Sequence, residues 1–220
     1  MKSEFAVIGD IHGEIHSLER AIDWISDWPA DLIFVGDYVN RGAHSREVLD
    51  LLVELKSDLG DRASFLLGNH DLALLDFLNG ASPSSLLAHG GLTTLNSYIG
   101  SNVSDEPFSQ MRNSFPTTHR RFLNELDVCW ETPEVVIAHA GIDPTQPASR
   151  MRKDLVLGSH PSLFEPRVIL PKLVVAGHYV QRDGRPFMSE KFVCVDSGCG
   201  AVPGAPLSIV VFPNREVVSI

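Results

Sequence analysis

Six side chains of metal-ligand type, Asp10, His12, Asp37, Asn69, His139 and His178, each lie just past a short apolar run with glycine close by. The runs are Phe5-Ala6-Val7-Ile8 before Gly9-Asp10-Ile11-His12-Gly13, and Leu32-Ile33-Phe34-Val35 before Gly36-Asp37-Tyr38-Val39-Asn40-Arg41-Gly42. Ser64-Phe65-Leu66-Leu67 precedes Gly68-Asn69-His70-Asp71, Val135-Val136-Ile137-Ala138 precedes His139-Ala140-Gly141, and Leu173-Val174-Val175-Ala176 precedes Gly177-His178. One Gly-Asp after an apolar run is ordinarily a turn, and one Asn-His pair carries little. Recurrence of the pattern makes an inventory of ligands. Carboxylate, amide and imidazole donors without thiolate suit manganese, iron or zinc better than calcium or magnesium alone. Asp10 and His12 share a face if their segment is extended. Asp37 has two oxygens and can bridge, so the set divides into Asp10, His12 and Asp37 for one ion and Asp37, Asn69, His139 and His178 for another. Two divalent ions about 3.5–4 Å apart clamp a phosphoryl group for in-line displacement and lower the pKa of a bridging water. The expected chemistry is therefore hydrolysis of a phosphoester by a metal-bridging hydroxide. His70 is poorly placed to ligate beside Asn69 in an extended segment, so its expected role is general acid to the leaving oxygen. Arg41 offers a donor fork for phosphate.

The elements that must position these groups follow from periodicity. Strands are expected at 5–8, 32–35, 64–67, 135–138, 173–176, 191–195, 207–212 and 216–219. An apolar stripe at Leu18, Ala21, Ile22 and Ile25 predicts a helix over 16–28, stopped by Pro29. Val48, Leu49, Leu52 and Leu55 predict a second over 45–57, and a third is expected over 72–78. This β-α-β-α-β-α opening implies a largely parallel, helix-covered sheet, whose C-terminal strand edge is where ligands bind. Residues 79–134 read as a helical insertion beside the site, with helices at about 84–99 and 107–126 and no strand. Residues 142–170 read as a long loop with at most one short helix. The last three strands, with no helix between them, are expected to pair antiparallel.

At 220 residues and 44% hydrophobic content the chain can bury one core, so a single domain over 1–220 is expected. The net charge of -10 argues against nucleic acid as a partner, because phosphate neutralisation needs Lys and Arg. Cys129, Cys194 and Cys199 are odd in number and lack ligand spacing, which fits a structural role in a reducing compartment. Met1-Lys2-Ser3-Glu4 is read as leading straight into a strand without a signal peptide, and no apolar run approaches the ~20 residues of a membrane span. A cytoplasmic location is expected, while no oligomeric state is implied. His16, His44, His89 and His119 read as surface or satisfied core histidines, Arg112, Arg120 and Arg121 as a solvated helix face, and Trp24 and Trp28 as packing residues.

Taken together, the five motifs from Gly9 to His178 resemble the calcineurin-like metallophosphoesterase superfamily, specifically the compact bacterial members of its phosphoprotein phosphatase branch, related to diadenosine-tetraphosphate hydrolases. The resemblance implies an α/β fold: a four-layer α/β/β/α sandwich of two mixed sheets with a dinuclear centre at the strand C-terminal ends. It assigns the same six ligands and places Asn40, Arg41, Asn69, His70 and Tyr179 around the substrate. Three departures stand out. Asn40 replaces the Asp that usually holds the catalytic histidine, and an amide can orient His70 but cannot favour its imidazolium by charge. The diadenosine hydrolases also lack that Asp. Residues 154–160 carry no second phosphate-binding Arg, for which Arg150, Arg152 and Arg167 are substitutes in the sequence. Tyr179 stands where Thr is usual. The expected substrate is a phosphorylated protein at serine or threonine, with dinucleoside polyphosphate or another small phosphoester as the alternative. A non-catalytic metal-containing binding module is the rival of a different class, disfavoured by the retained His70.

Overall fold

The computed structural model describes residues 4–26, 28–101 and 103–220, so the Met1-Lys2-Ser3 start lies outside the described residues. In chain order, β1 (Phe5–Ile8), α1 (Ile15–Ile25), β2 (Asp31–Phe34), α2 (Ser45–Leu59), β3 (Ala63–Phe65) and α3 (Asn69–Leu78) form the alternating opening. Four helices follow: α4 (Ser84–Ala88), α5 (Leu92–Ile99), α6 (Pro107–Ser114) and α7 (Thr117–Asn124). Then come β4 (Trp130–Glu131), β5 (Val135–Ile137), α8 (Arg152–Leu155), β6 (Leu173–Ala176), β7 (Phe187–Met188), β8 (Phe192–Cys194), β9 (Ser208–Phe212) and β10 (Glu216–Ser219).

The strands make two mixed sheets, ordered β10-β9-β1-β2-β3 and β4-β5-β6-β8-β7. In the first, β1, β2 and β3 run parallel, with Val7 opposite Ile33 and Phe34 opposite Phe65, while β9 and β10 close the edge antiparallel. In the second, β5, β6 and β8 run parallel between antiparallel edges. Successive strand residues point to opposite faces. One set therefore forms a layer between the sheets: Phe5, Val7, Ile33, Val35, Val210 and Phe212 against Val135, Ile137, Val175, Val193 and Val195. The alternate set, including Ala6, Ile8, Leu32 and Phe34, packs with α1 and α2 through Leu18, Ala21, Ile25, Val48 and Leu52. Ile33 is fully buried in the inner layer, and its truncation to alanine would cost about 2–5 kcal/mol.

Several expected elements differ in detail. Strand 191–195 does not pair antiparallel with those after it; β8 joins the second sheet parallel to β6, with Val175 opposite Val193. The helix expected over 84–99 breaks at His89-Gly90-Gly91, where Gly90 has φ +75°. The one expected over 107–126 breaks at Phe115-Pro116, since the residue before proline is pushed to extended backbone and Phe115 has ψ 126°. Two short strands, β4 and β7, were not expected. The first helix ends at Ile25, short of Pro29. Arg112 and Arg120 are not a solvated face: Arg112 donates to the carbonyls of Phe77 and Ala81, and Arg120 to that of Leu78. They cap the C-terminal end of α3, satisfying carbonyls the helix cannot and meeting its negative pole. That helix is buried almost all round, and its other end enters the site. Among the described residues no helix is long and apolar enough to cross a membrane.

Candidate active site

Three of the six ligand-type residues, His12, Asp37 and His178, follow the C-terminal end of a strand on left-handed backbone. Of the six non-glycine residues with positive φ among those described, five are His12, Asp37, Asn40, Arg41 and His178. Left-handed backbone on such residues costs about 1–3 kcal/mol each, and its concentration here marks a site held by its surroundings. It also corrects one expectation. Asp10 and His12 do not converge by extended alternation, because His12 has φ +47°; the chain turns there, with the N–H of Ile11 and of His12 both donating to the Asp37 carbonyl. Two glycines allow the close approach. A Cβ on Gly68 would stand 2.1 Å from Asp37 Oδ1, and one on Gly177 would stand 2.1 Å from Asp10 Oδ1.

Asp71, the last residue of its motif, acts as the brace. Its carboxylate accepts N–H bonds from Asp37 at 2.7 Å, Tyr38 at 3.0 Å and Gly68 at 3.1 Å, so it ties the end of β2 to the start of α3. The helix begins at Asn69 and not at 72, which places Asn69 and His70 in its first turn. His70 N–H donates to Asp37 Oδ1 at 2.9 Å, setting that carboxylate against the positive helix end.

The six expected ligand residues are brought together. Asp37 Oδ2 lies 3.4 Å from His139 Nε2, 3.6 Å from His12 Nε2 and 3.7 Å from His70 Nε2. His12 Nε2 is 4.0 Å from Asp10 Oδ2. Asn69 Oδ1 is 2.9 Å from His139 Nε2 and 2.8 Å from His178 Nδ1. His12 Nδ1 lies 3.1 Å from the Val39 carbonyl and His139 Nδ1 lies 3.0 Å from that of Val35. Each carbonyl can only accept, so it fixes the ring proton on Nδ1 and turns an Nε2 lone pair inward, the usual arrangement behind a metal-binding histidine. Two groups can each hold an ion, Asp10 with Asp37 and His139, and His12 with Asp37 and His70. The second makes His70 a candidate ligand as well as a candidate acid, because a helix start, unlike an extended segment, does not turn it away from Asp37.

The electrostatics explain why cations fit. Asp10, Asp37, Asp71 and Asp196 are all almost fully buried. Burial and then the neighbouring Asp196 raise Asp10 well above the usual carboxylate range, and burial raises Asp71 to about 7 and Asp196 to about 6. Burial also pushes Asp37 up, but His139 and His70 outweigh it and hold Asp37 low. His139 rises to about 9, since Asp37 and Asp10 overcome the burial that opposes its charge. His12 and His178 fall to about 4 and His70 to about 3, chiefly through burial. One Asp196 oxygen, Oδ2, is buried without a hydrogen-bond partner. Buried carboxylates around inward-facing lone pairs are costly unless positive charge joins them. The sequence held a signal for Asp196, because Phe192-Val193-Cys194-Val195 before it repeats the strand-then-carboxylate pattern.

Around this centre, Asn40 Nδ2 lies 3.2 Å from His70 Nδ1, and Arg41 Nη2 lies 3.4 Å from His70 Nε2. The His89 ring, read from sequence as a surface or satisfied group, packs edge-on to His70 at 4.9 Å. Tyr179 stands beside His178, but its hydroxyl donates to the Ala140 carbonyl at 2.8 Å and accepts from His160 N–H at 3.0 Å. Arg150, a sequence substitute for the second phosphate-binding Arg, is instead paired with Glu131 at 2.7 Å. Arg41 lines a cleft of about 340 Å³ together with Val180, Arg182, Ala201, Val202 and Pro203. Neither arginine has a carboxylate partner among the described residues.

A family profile for calcineurin-like phosphoesterases matches residues 3–182. The bis(5'-nucleosyl)-tetraphosphatase of Anoxybacillus flavithermus is 28% identical over 98% of this chain and 93% of its own length. A Caenorhabditis elegans protein provisionally named a serine/threonine-protein phosphatase is 47% identical over 66 residues, 30% of this chain. The match spans only 18% of that protein, and 8% of a second such phosphatase from Arabidopsis thaliana. Among solved structures, one classed provisionally as a diadenosine tetraphosphatase aligns with TM-score 0.68 at 24% identity, covering all of this chain and 94% of its own. A cold-active protein tyrosine phosphatase of a Shewanella species aligns with TM-score 0.65 at 16% identity, covering 99% of this chain and 77% of its own. At those identities the likeness is one of fold.

Proposed function

The chain belongs to the calcineurin-like phosphoesterase family, and from that membership we propose that it hydrolyses the polyphosphate chain of nucleotides, with a dinucleoside tetraphosphate as the leading substrate. Members of the family use divalent metal ions, and the residues present fit such ions, since buried carboxylates and inward lone pairs, with one Asp196 oxygen unpartnered, call for positive charge. Asp10, His12, Asp37, Asn69, His139 and His178 would hold two of them, manganese, iron or zinc by donor type. Bound there, the ions supply Lewis-acid polarisation of the phosphoryl oxygens and activation of water. Asp71 keeps Asp37 in register with Asn69, and the Val35 and Val39 carbonyls aim His139 and His12. Arg41 grips a phosphate oxygen, and His70 Nε2 donates to the leaving oxygen.

The observation that carries the substrate class is the contact between the Asn40 amide and His70 Nδ1 at 3.2 Å. An amide brings no charge to stabilise an imidazolium, so strong proton donation to the leaving group is not supported. A phosphate leaving from an anhydride departs as a stable anion and needs little help, whereas a serine or threonine alkoxide needs a proton. The full-length likeness to a bis(5'-nucleosyl)-tetraphosphatase supports the same reading. So does the cleft that joins Arg41 to Arg182, which suits phosphates beyond the one attacked. The second reading, a phosphoserine or phosphothreonine phosphatase, is favoured by the short 47% identical match.

The test compares diadenosine tetraphosphate, a phosphoserine peptide and para-nitrophenyl phosphate on protein reconstituted with manganese. The expected result is a kcat/KM for the dinucleotide above that for the peptide by more than about tenfold, or roughly 1.4 kcal/mol in transition-state stabilisation. The reverse order establishes the second reading. No turnover of any of the three leaves a binding module.

A further inference from the structure

We propose that Ser45 and Thr94 are positioning residues that fix the Asn40 amide so that it donates to His70 Nδ1 and leaves the ring proton on Nε2. The proposal rests on the reading that Nε2 of His70 meets the leaving oxygen. Ser45 opens α2, Thr94 lies on α5 in the helical segment, Asn40 sits in the loop after β2 and His70 opens α3. Ser45, Thr94 and Asn40 are all fully buried and His70 nearly so. Three segments distant in sequence, 40–45, the start of α3 and α5, therefore meet in one polar chain inside the protein.

The chain runs Ser45 Oγ to Thr94 Oγ1 at 2.9 Å, Thr94 Oγ1 to Asn40 Oδ1 at 2.7 Å, and Asn40 Nδ2 to His70 Nδ1 at 3.2 Å. The Asn40 N–H also donates to Ser45 Oγ at 3.1 Å and Thr94 Oγ1 at 3.0 Å, pinning the left-handed backbone of Asn40. Each hydroxyl has one proton to give, so the chain has two possible directions. In the first, Ser45 donates to Thr94, Thr94 donates to Asn40 Oδ1, and the amide N–H donates to an unprotonated His70 Nδ1. Both hydroxyl protons are then used. In the reverse, His70 Nδ1–H donates to Asn40 Oδ1, the amide donates to Thr94 and Thr94 donates to Ser45. The Ser45 proton then has no acceptor among the described residues. A buried donor left unpaired is costly, so the first direction is preferred. It places the ring proton on Nε2, which faces Asp37 Oδ2 at 3.7 Å. Arg41 Nη2, a donor 3.4 Å from Nε2, is the neighbour that favours the reverse, and the two directions predict opposite tautomers.

Long-range proton–nitrogen NMR of the histidine rings, on the protein as purified and after zinc loading, reads the tautomer without any assay of activity. The expected spectrum shows His70 with bare Nδ1 and protonated Nε2. Thr94→Val, which removes the donor to Asn40, should populate both tautomers and lower kcat in proportion to the Nε2-protonated fraction, about twofold at equal populations, while KM is unchanged. Thr94→Ser should restore both spectrum and rate. If Thr94→Val does not fold, Asn40→Asp serves instead, and its carboxylate should move the proton to Nδ1. A wild-type ring protonated at Nδ1, or a Thr94→Val or Asn40→Asp spectrum identical to wild type, overturns the proposal. The expected tautomers in a protein that turns over no phosphate substrate would leave the positioning chain standing and defeat the functional reading alone.

Discussion

The two sheets contribute opposite chemistry to the site. The first, through the ends of β1, β2 and β3, brings Asp10, Asp37 and Asp71 together with His12, Asn69 and His70. The second, through the ends of β5 and β6, brings the imidazoles His139 and His178, and adds one carboxylate, Asp196, past β8. The first sheet's groups are tied to one another by local backbone hydrogen bonds, above all through Asp71. The second sheet's groups reach the first across the interface, with His139 Nδ1 on the Val35 carbonyl and the His178 N–H on Asp10 Oδ2 at 3.1 Å. An anionic half that holds its own shape faces a nitrogen-rich half that depends on it, and cations between them would join the two.

The largest effect should come from removing the group both halves share. Asp37→Asn should lower turnover at least about a thousandfold, since Asp37 contacts His12, His70 and His139 at once. Metal analysis should show the ion content falling with it; an unchanged metal content would mean that the halves are joined without Asp37.

Next is the pH dependence of the metal-free protein. His139 is raised from 6.5 to about 9, so the stability it contributes is full below pH 6.5 and is lost as pH rises through 9. Asp71 and Asp196, raised from 3.8 to about 7 and about 6, act in the same direction over pH 3.8 to 7. Asp37, held low, contributes stability above pH 3.8 that is lost only in stronger acid. His12, His70 and His178, held low, act the other way only up to about pH 6.5, so the melting temperature without metal should fall between pH 7 and 9. Added manganese should raise it more at pH 8 than at pH 6, because binding needs the unprotonated ligands. Equal stabilisation at both values would contradict the charge balance across the sheets.

Asp196→Asn sharpens the comparison on the second sheet. It keeps shape and removes one buried charge, so metal affinity should fall about tenfold to a hundredfold by titration calorimetry, the range seen for groups that support ligands without binding. The smallest effect should be at the rim. Arg182→Ala should raise KM for diadenosine tetraphosphate several-fold, worth about 1 kcal/mol, and leave para-nitrophenyl phosphate unchanged. An equal change for both substrates would show that the cleft does not read the longer chain.

The strand ends were legible because an apolar run and the polar residue after it are neighbours in sequence, as in Val35-Gly36-Asp37. The six ligand-type residues that the fold brings together could be named for that reason, and the opening β-α-β-α-β-α order followed from periodicity. What escaped depended on distant partners. His12 turns left-handed because its N–H must reach the Asp37 carbonyl, 25 residues on. Arg112 and Arg120 cap α3 only once the helical segment docks on it. The placing of β8 beside β6 was hidden because a short strand, β7, takes the place of a crossover helix. Asp71 stood in its motif without a role and Asp196 in none; the burial of both, and the N–H bonds that Asp71 accepts, depend on the folded chain.

The central claim is that the two halves close on a pair of cations, and anomalous diffraction from crystals soaked in manganese tests it most directly. Two peaks about 3.5–4 Å apart, with Asp37 between them, Asp10 and His12 on one and Asn69, His139 and His178 on the other, are the predicted result. A map with no peak among these side chains, or with a single ion bound away from Asp37, would contradict it.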